Sequence, residues 1–174
     1  MHAAAKRRPC NSNVLETGEP YVGVMLIESR PATDPELAAL LMAQQRELAE
    51  ADDGQDGQVY LTHDDVAYLV VVVDGRVVAC GAWQALEPGV AELKRMYVRP
   101  AYRGRGIARQ LVVALEEEAL AADRPVLRLE TGTYLPAAVA LYRSAGYDPI
   151  PVYGEYAGNP YSLCFEKSLA VISR

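Results

Sequence analysis

One stretch limits what this chain can fold into more than any other: Ala91-Glu-Leu-Lys-Arg-Met-Tyr-Val-Arg-Pro-Ala-Tyr-Arg-Gly-Arg-Gly-Ile-Ala-Arg-Gln-Leu111. It reads as a strand, a tight basic turn and the opening of an amphipathic helix. A helix N-terminus presents backbone N–H groups without intrahelical partners, together with a partial positive charge. Gly104 and Gly106 remove the Cβ atoms that would hold a bulky anion away from those donors, and Arg103 and Arg105 add formal charge beside them. The local expectation is a pyrophosphate cradle.

Three other phosphate-linked readings compete with it. A P-loop requires a Lys-Ser/Thr pair after its glycines, and this loop continues Ile107-Ala108-Arg109. A dinucleotide fingerprint requires a third small residue at a fixed offset and an acidic residue after a second strand. Ala108 is small but the spacing is wrong, and no acidic residue stands out for the ribose. An RGG-like nucleic-acid segment belongs in a disordered context, whereas an apolar strand precedes this turn and a helix follows it.

The remaining pattern gives the element order. Val22–Glu28 reads as a first strand. Asp34-Pro35-Glu36 has the N-cap, first-position proline and first-turn acid of a helix start. That helix carries Leu37, Leu40, Leu41, Ala43 and Leu48 and ends near Asp52-Asp53-Gly54. Val59–Leu61 reads as extended. Asp74-Gly75 between two β-branched runs, Ala67–Val73 and Arg76–Trp83, is the strongest hairpin signal. Val90–Val98 is the strand before the cradle. The helix after it buries Ile107, Ala108, Leu111, Val112, Leu115 and Ala119, while Glu116, Glu117 and Glu118 are expected to face solvent. Val126–Glu130 is a short strand, and Pro136 opens a helix closed by Gly146. Tyr147–Val152 and Tyr161–Glu166 complete the set. Strands and helices in this order predict an α/β (α+β mixed) fold with helices on both faces of a mixed sheet.

Composition sets the outer bounds. At 174 residues, 51% hydrophobic and 23% charged, the chain suits one domain over residues 21–174, after a basic, polar leader at 1–20. A net charge of −6 disfavours nucleic acid as a partner, and no apolar run reaches the length of about 18–20 residues that a membrane span needs. Cys10, Cys80 and Cys164, with His2 and His63, show no metal-ligand spacing, so no metal is expected. Cys80 and Cys164 read as buried thiols, and a reducing cytoplasm is the expected compartment.

The cradle residues Arg103, Gly104, Arg105, Gly106, Ile107 and Ala108 resemble the acyl-CoA loop of the GNAT (GCN5-related) N-acetyltransferases, Arg/Gln-x-x-Gly-x-Gly/Ala. Leu141-Tyr142-Arg-Ser-Ala-Gly146-Tyr147 resembles the Leu-Tyr-x-x-x-Gly-Phe signature of the same family, and the element order matches its fold from about Tyr21 to Lys167. The resemblance implies a mostly antiparallel twisted sheet flanked by helices on both faces, with acetyl-CoA as co-substrate. It implies that the backbone of Met96, Tyr97 and Val98 contacts that co-substrate and that the Tyr142 hydroxyl approaches its sulfur as general acid. Glu92, within Ala91-Glu92-Leu93, matches a carboxylate that serves some members as general base; the plainer reading pairs it with Lys94 or an arginine. Glu130 is a second candidate for the base. The chain departs from the family in one place, where Leu135 stands at the position of a common cofactor-binding Asn. Thr131, Thr133 and Tyr134 are the nearby substitutes.

The expected activity is therefore acetyl transfer from acetyl-CoA to the primary amine of a small molecule, by direct attack in a ternary complex. Transfer to a protein lysine or N-terminus, or a non-catalytic acyl-CoA sensor, are the alternatives. Tyr153, Glu155, Tyr156 and Tyr161 fit either an acceptor pocket or a homodimer contact.

Overall fold

The computed structural model describes residues 7–9, 24–52 and 65–169, with backbone alone for 7–9. Among them the order is β1 (Arg7–Pro9), β2 (Met25–Arg30), α1 (Pro35–Ala51), β3 (Val66–Val73), β4 (Arg76–Glu87), β5 (Val90–Val98), α2 (Ile107–Ala121), β6 (Val126–Gly132), α3 (Pro136–Ser144), β7 (Asp148–Ile150) and β8 (Ser162–Ser168). The strands form one sheet in the order β1-β2-β3-β4-β5-β6-β8-β7. β5 and β6 run parallel, and the other neighbouring pairs are antiparallel. The predicted mixed fold is the one observed. Arg7–Pro9, inside the segment read as a leader, pairs with β2; the rest of 1–20, Cys10 and the Val59–Leu61 segment lie outside the described residues.

Local chemistry explains the elements. Asp74 and Gly75 both have positive φ, 48° and 78°, which gives the β3–β4 turn the twist a two-residue hairpin requires. Asp34 caps α1, its Oδ1 accepting from Leu37 N at 2.9 Å, and Pro35 fills the first helical position. Burial pushes the Asp34 carboxyl up, but hydrogen bonds from Leu37 N–H and Arg30 outweigh it and hold the group below its usual range.

Two cores lie on opposite faces of the sheet. Leu37 and Leu40 of α1 pack on Val66, Tyr68, Val70, Val72, Cys80 and Ala82. On the other face, Ile107, Leu111, Val112, Leu115 and Ala119 of α2 join Val71, Val73, Leu93, Leu127, Leu129 and Phe165, with Tyr142 and Tyr147 at the α3 end. Gly81 of β4 lies under this helix. A Cβ there would meet Met96 Sδ at 2.6 Å and Leu115 Cδ1 at 2.9 Å, so only glycine lets α2 sit so close. Cys80 is fully buried, and burial pushes its thiol up to about 12. Cys164 is buried as well, as expected.

One expectation fails. Glu116 does not face solvent: it is 8% exposed, accepting from Tyr147 Oη at 3.0 Å and from Lys167 Nζ at 2.8 and 3.0 Å. Its partners come from the start of β7 and from β8, so a helical wheel of α2 alone cannot reveal them. Ala108, placed in the buried stripe, is half-buried. No helix among the described residues is long and apolar enough to cross a membrane.

Leu115, fully buried, anchors the α2 stripe. Leu115→Ala is expected to destabilise the fold by about 2–5 kcal/mol, read as a lower urea midpoint. Val113→Ala on the exposed side of the same helix is expected to change it by less than about 0.5 kcal/mol.

Candidate functional site

The site begins where the sheet opens. β5 and β6 pair through Val90↔Val126 to Leu93↔Leu129 and no further. Beyond that point β5 stays with β4, and β6 stays with β8 as far as Gly132↔Ser162. The cause lies in β5: its register with β4 shifts between Ala82↔Lys94 and Cys80↔Tyr97, and Arg95 adopts φ 58°. Arg95 and Met96 together face the single residue Gly81, a β-bulge that bends the strand away. Side chains then hold the bent segment. Gln44 of α1 donates to Met96 O at 2.9 Å, Arg103 Nε to Val98 O at 2.9 Å, and Cys80 Sγ reaches Arg95 O at 3.5 Å.

The opening is a cleft of about 680 Å³ that both Glu92 and Tyr142 line. Directly opposed residues share a face, so Gln84↔Glu92, Ala82↔Lys94 and Tyr68↔Ala82 put Glu92 and Lys94 on the α1 side of the sheet. Glu92↔Arg128 extends that face to β6, and Glu130 follows two residues later. Tyr142 enters from the α2–α3 side. The cleft therefore joins the two faces through the sheet.

Glu92 is 4% exposed. Its Oε1 accepts from Tyr156 Oη at 2.8 Å and Tyr153 Oη at 3.1 Å, and its Oε2 lies 3.2 Å from Lys94 Nζ. The Lys94 pairing read from the sequence is present, but inside the cleft instead of on a solvated face. The two phenols come from the segment between β7 and β8, whose rings pack edge to face at 5.6 Å. Burial, and then the Glu92 charge, pushes both phenols above the ordinary tyrosine range. Tyr156 and Glu155 line the cleft; Tyr161, 40% exposed, does not. Sequence spacing could not show that Tyr153 and Tyr156, 61 and 64 residues away, converge on Glu92.

Tyr142 is 6% exposed and stands edge to face with Tyr147 at 5.9 Å. Its hydroxyl makes no hydrogen bond among the described residues. Burial first, and the charge of Glu130 second, raise its pKa, so it keeps its proton at neutral pH. The core-aromatic and cleft-facing readings of this residue hold together. Glu130 accepts from Ser162 Oγ at 2.7 Å. Leu135 and Tyr134 line the cleft near Thr131, while Thr133 is exposed.

At the cradle, Gly104 and Gly106 have φ of 71° and 73°, and nothing lies within 4 Å of a Cβ built on either. The first backbone bond of α2 is Gln110 N to Gly106 O, at 3.2 Å. Among the described residues, the N–H groups from Gly104 to Arg109 donate to no backbone carbonyl. Two glycines in the left-handed region thus leave six successive donors open in front of a helix dipole, a geometry suited to an anion. Arg105 lies 5.2 Å from the Tyr102 ring centre and bonds Ala101 O. Arg103 is more engaged than the motif suggests: it also pairs with Glu47 of α1 at 2.7 Å and covers the Tyr97 ring.

A sheet split beside a glycine-arginine cradle agrees with the GNAT resemblance read from the sequence. Residues 30–147 match the family model described as Acetyltransferase (GNAT) family, and the chain belongs to that family. It is 43% identical over 110 residues to an IAA acetyltransferase of Azospirillum brasilense, covering 63% of this chain and 72% of the relative. A Klebsiella pneumoniae protein, described as a candidate acyl-CoA N-acyltransferase, superposes with a TM-score of 0.74 at 34% identity, over 86% of this chain and 99% of that one. A GNAT acetyltransferase of Elizabethkingia anophelis with acetyl-CoA bound shares the fold, with a TM-score of 0.64 at 17% identity over 83% and 98% of the two chains.

The raised tyrosines carry a pH consequence. Tyr142, Tyr147, Tyr153 and Tyr156 hold their protons in the folded state above the pH at which an unfolded chain releases them. Their contribution is complete below an unfolded pKa of about 10 and is lost as pH rises beyond it. The melting temperature should fall steeply from about pH 10 to about pH 11.5, and less steeply in the Tyr153→Phe/Tyr156→Phe double variant.

Proposed function

We propose that this chain transfers an acetyl group from acetyl-CoA to the primary amine of a small molecule, by direct attack in a ternary complex. The observation that carries this reading is the single cleft through the split sheet, lined by Glu92 on one side and Tyr142 on the other, with the anion cradle at the end of the same strand. The open donors of Gly104 to Arg109 fit a diphosphate in charge, and the empty space over both glycines fits it in size.

The chain's residues divide the work. The cradle, Arg103 to Ala108, holds the diphosphate. Met96 to Val98 orient the acyl donor through N–H groups, since the carbonyls of Met96 and Val98 already accept from Gln44 and Arg103. Donors aimed at a thioester oxygen act as an oxyanion site, and removing one typically lowers the rate about 10²–10³-fold. In the transfer, the amine nitrogen bonds to the acetyl carbon and the carbon–sulfur bond breaks. The acceptor enters the step as the free amine, its ammonium having given one proton to water. The nitrogen then loses a second proton to Glu92, directly or through water, the departing sulfur takes one from Tyr142, and the proton on Glu92 returns through water to the Tyr142 oxygen. Burial makes Tyr142 a weaker acid, but it disfavours a bare thiolate as well, so donation to the sulfur gains value in the same dry site.

The Tyr153–Tyr156 segment over Glu92 favours a small acceptor over a protein lysine or N-terminus, which would need an open groove to reach the carboxylate. A non-catalytic acyl-CoA sensor needs neither a proton-bearing phenol nor a buried carboxylate in the cleft.

An acceptor screen with acetyl-CoA, read by mass shift and thiol release, tests the reaction directly. Tyr142→Phe should lower turnover about 10-fold or more while the acetyl-CoA KM stays nearly constant; unchanged turnover removes Tyr142 from the acid role. Gly106→Val places a branched side chain in front of the open donors. It should weaken acetyl-CoA binding at least about 10-fold by calorimetry, with the far-ultraviolet spectrum of the fold retained. A variant that folds and binds normally would mean the diphosphate lies elsewhere.

A further inference from the structure

The acetyl-transfer reading uses Glu92 and Tyr142 but gives Lys94, which pairs with Glu92, no direct part toward the acceptor. Lys94 lines the cleft on the α1 side of β5, its side chain only 18% exposed. Its Nζ lies 3.2 Å from Glu92 Oε2 and 3.7 Å from Glu155 Oε1. Neither contact has hydrogen-bond geometry, and Lys94 donates no hydrogen bond among the described residues. Other charged groups of this sheet spend their donors: Lys167 donates twice to Glu116, and Arg128 donates to Glu166 and to Glu87. A largely buried ammonium with one close carboxylate, Glu92, and one long contact, Glu155, has room for a further anion beside it.

The two carboxylates beside Lys94 are not equivalent. Glu92 already points Oε2 at the ammonium, at 3.2 Å, and two phenol hydroxyls on Oε1 fix it there. Glu155 sits on the segment between β7 and β8 with its side chain 72% exposed, and at 3.7 Å it is a weak surface partner. An anion entering the cleft can displace it at little loss and give Lys94 a second close, charge-assisted contact beside Glu92. A purely cationic acceptor would do the opposite, covering Lys94 further while repelling it.

We propose that the acceptor is an amino acid, a small primary amine that also bears a carboxylate, with the carboxylate bound by Lys94 in place of Glu155. This rests on the proposed acetyl transfer and adds its substrate class. The ammonium end of such a molecule faces the carboxylates of Glu92 and Glu130, which line the same cleft. The charges of the two ends thus match the charges of the cleft. The carboxylate takes no part in bond making; it sets orientation, which places the amine for attack.

The test uses the full chain, acetyl-CoA and matched acceptor pairs: each common amino acid against its decarboxylated amine of the same skeleton, followed by thiol release. For at least one pair, kcat/KM for the amino acid should exceed that for the amine about 10- to 100-fold, the range for one charge-assisted contact. In Lys94→Gln that ratio should collapse toward one through a raised KM for the amino acid, and Lys94→Arg should restore part of it. Glu155→Gln, which removes the competing carboxylate from an exposed position, should lower the KM for the amino acid. Activity on amines with no preference for the carboxylate, or a Lys94→Gln ratio equal to that of the unaltered chain, would overturn this proposal and leave acetyl transfer standing. Acetyl-CoA binding with no transfer to either member of any pair, or to any other amine, would overturn both.

Discussion

Past Leu93 and Leu129, two parallel strands in the middle of the sheet stop exchanging hydrogen bonds, and the cleft that brings Glu92 and Tyr142 together depends on that parting. A strand edge left open inside a fold exposes backbone groups that must find other partners. Here the bulge at Arg95 turns β5 away, and Gln44, Arg103 and Cys80 take the carbonyls of Met96, Val98 and Arg95. Gly81 makes the bend affordable, because Met96 Sδ occupies the space a side chain on β4 would need. Without the parting there is no passage between the faces, and Glu92 and Tyr142 would belong to separate cores.

The same side chains that hold the opening also connect it to the rest of the molecule. α1 contributes Gln44 to the bent strand and Glu47 to Arg103 of the cradle, so one helix face braces both the bent strand and the glycine-arginine turn. Arg103 in turn holds Val98 O and covers Tyr97. Its charge is therefore partly neutralised by Glu47, so on the proposed reading an anion at the cradle is held more by backbone donors and the α2 dipole than by this guanidinium. Arg103 belongs as much to the architecture of the loop as to its charge.

Much of this was legible because the signals are local. A hairpin turn that needs two positive φ values, an Asp-Pro helix start and a glycine pair before an apolar helix each leave residues at fixed offsets, and the hairpin, α1 and the cradle follow them closely. Glu92 and Tyr142 were legible as candidates because each sits in a short pattern. What was not legible depends on contacts between distant segments. Glu116 reads as a solvent residue until Lys167 and Tyr147 are brought to it from β8 and the start of β7. The two phenols on Glu92 come from a loop with no repeating pattern, and the bulge at Arg95 shows in the sequence only as the break in alternation at Lys94-Arg95, which does not by itself specify a bulge. An arginine with positive φ has no distinctive sequence context; it is imposed by the register of β4 against β5.

The environment of Glu92 shows how such distant contacts shape chemistry. A buried carboxylate is disfavoured as an anion by desolvation, and favoured by hydrogen-bond donors and nearby positive charge. Here two phenols and one ammonium surround a group that is 4% exposed, so the favourable terms are supplied by side chains fixed in place before any ligand arrives. The phenols are themselves pushed up by burial and then by the carboxylate they serve, so they act as donors and not as competing anions. That leaves Lys94 as the adjustable member. It faces a locked carboxylate on one side and a loose one, Glu155, on the other. On the proposed reading, a ligand that exchanges with Glu155 alters the charge beside Glu92 without moving Glu92, and binding at one end of an acceptor thereby reaches the group proposed to receive the proton from its other end.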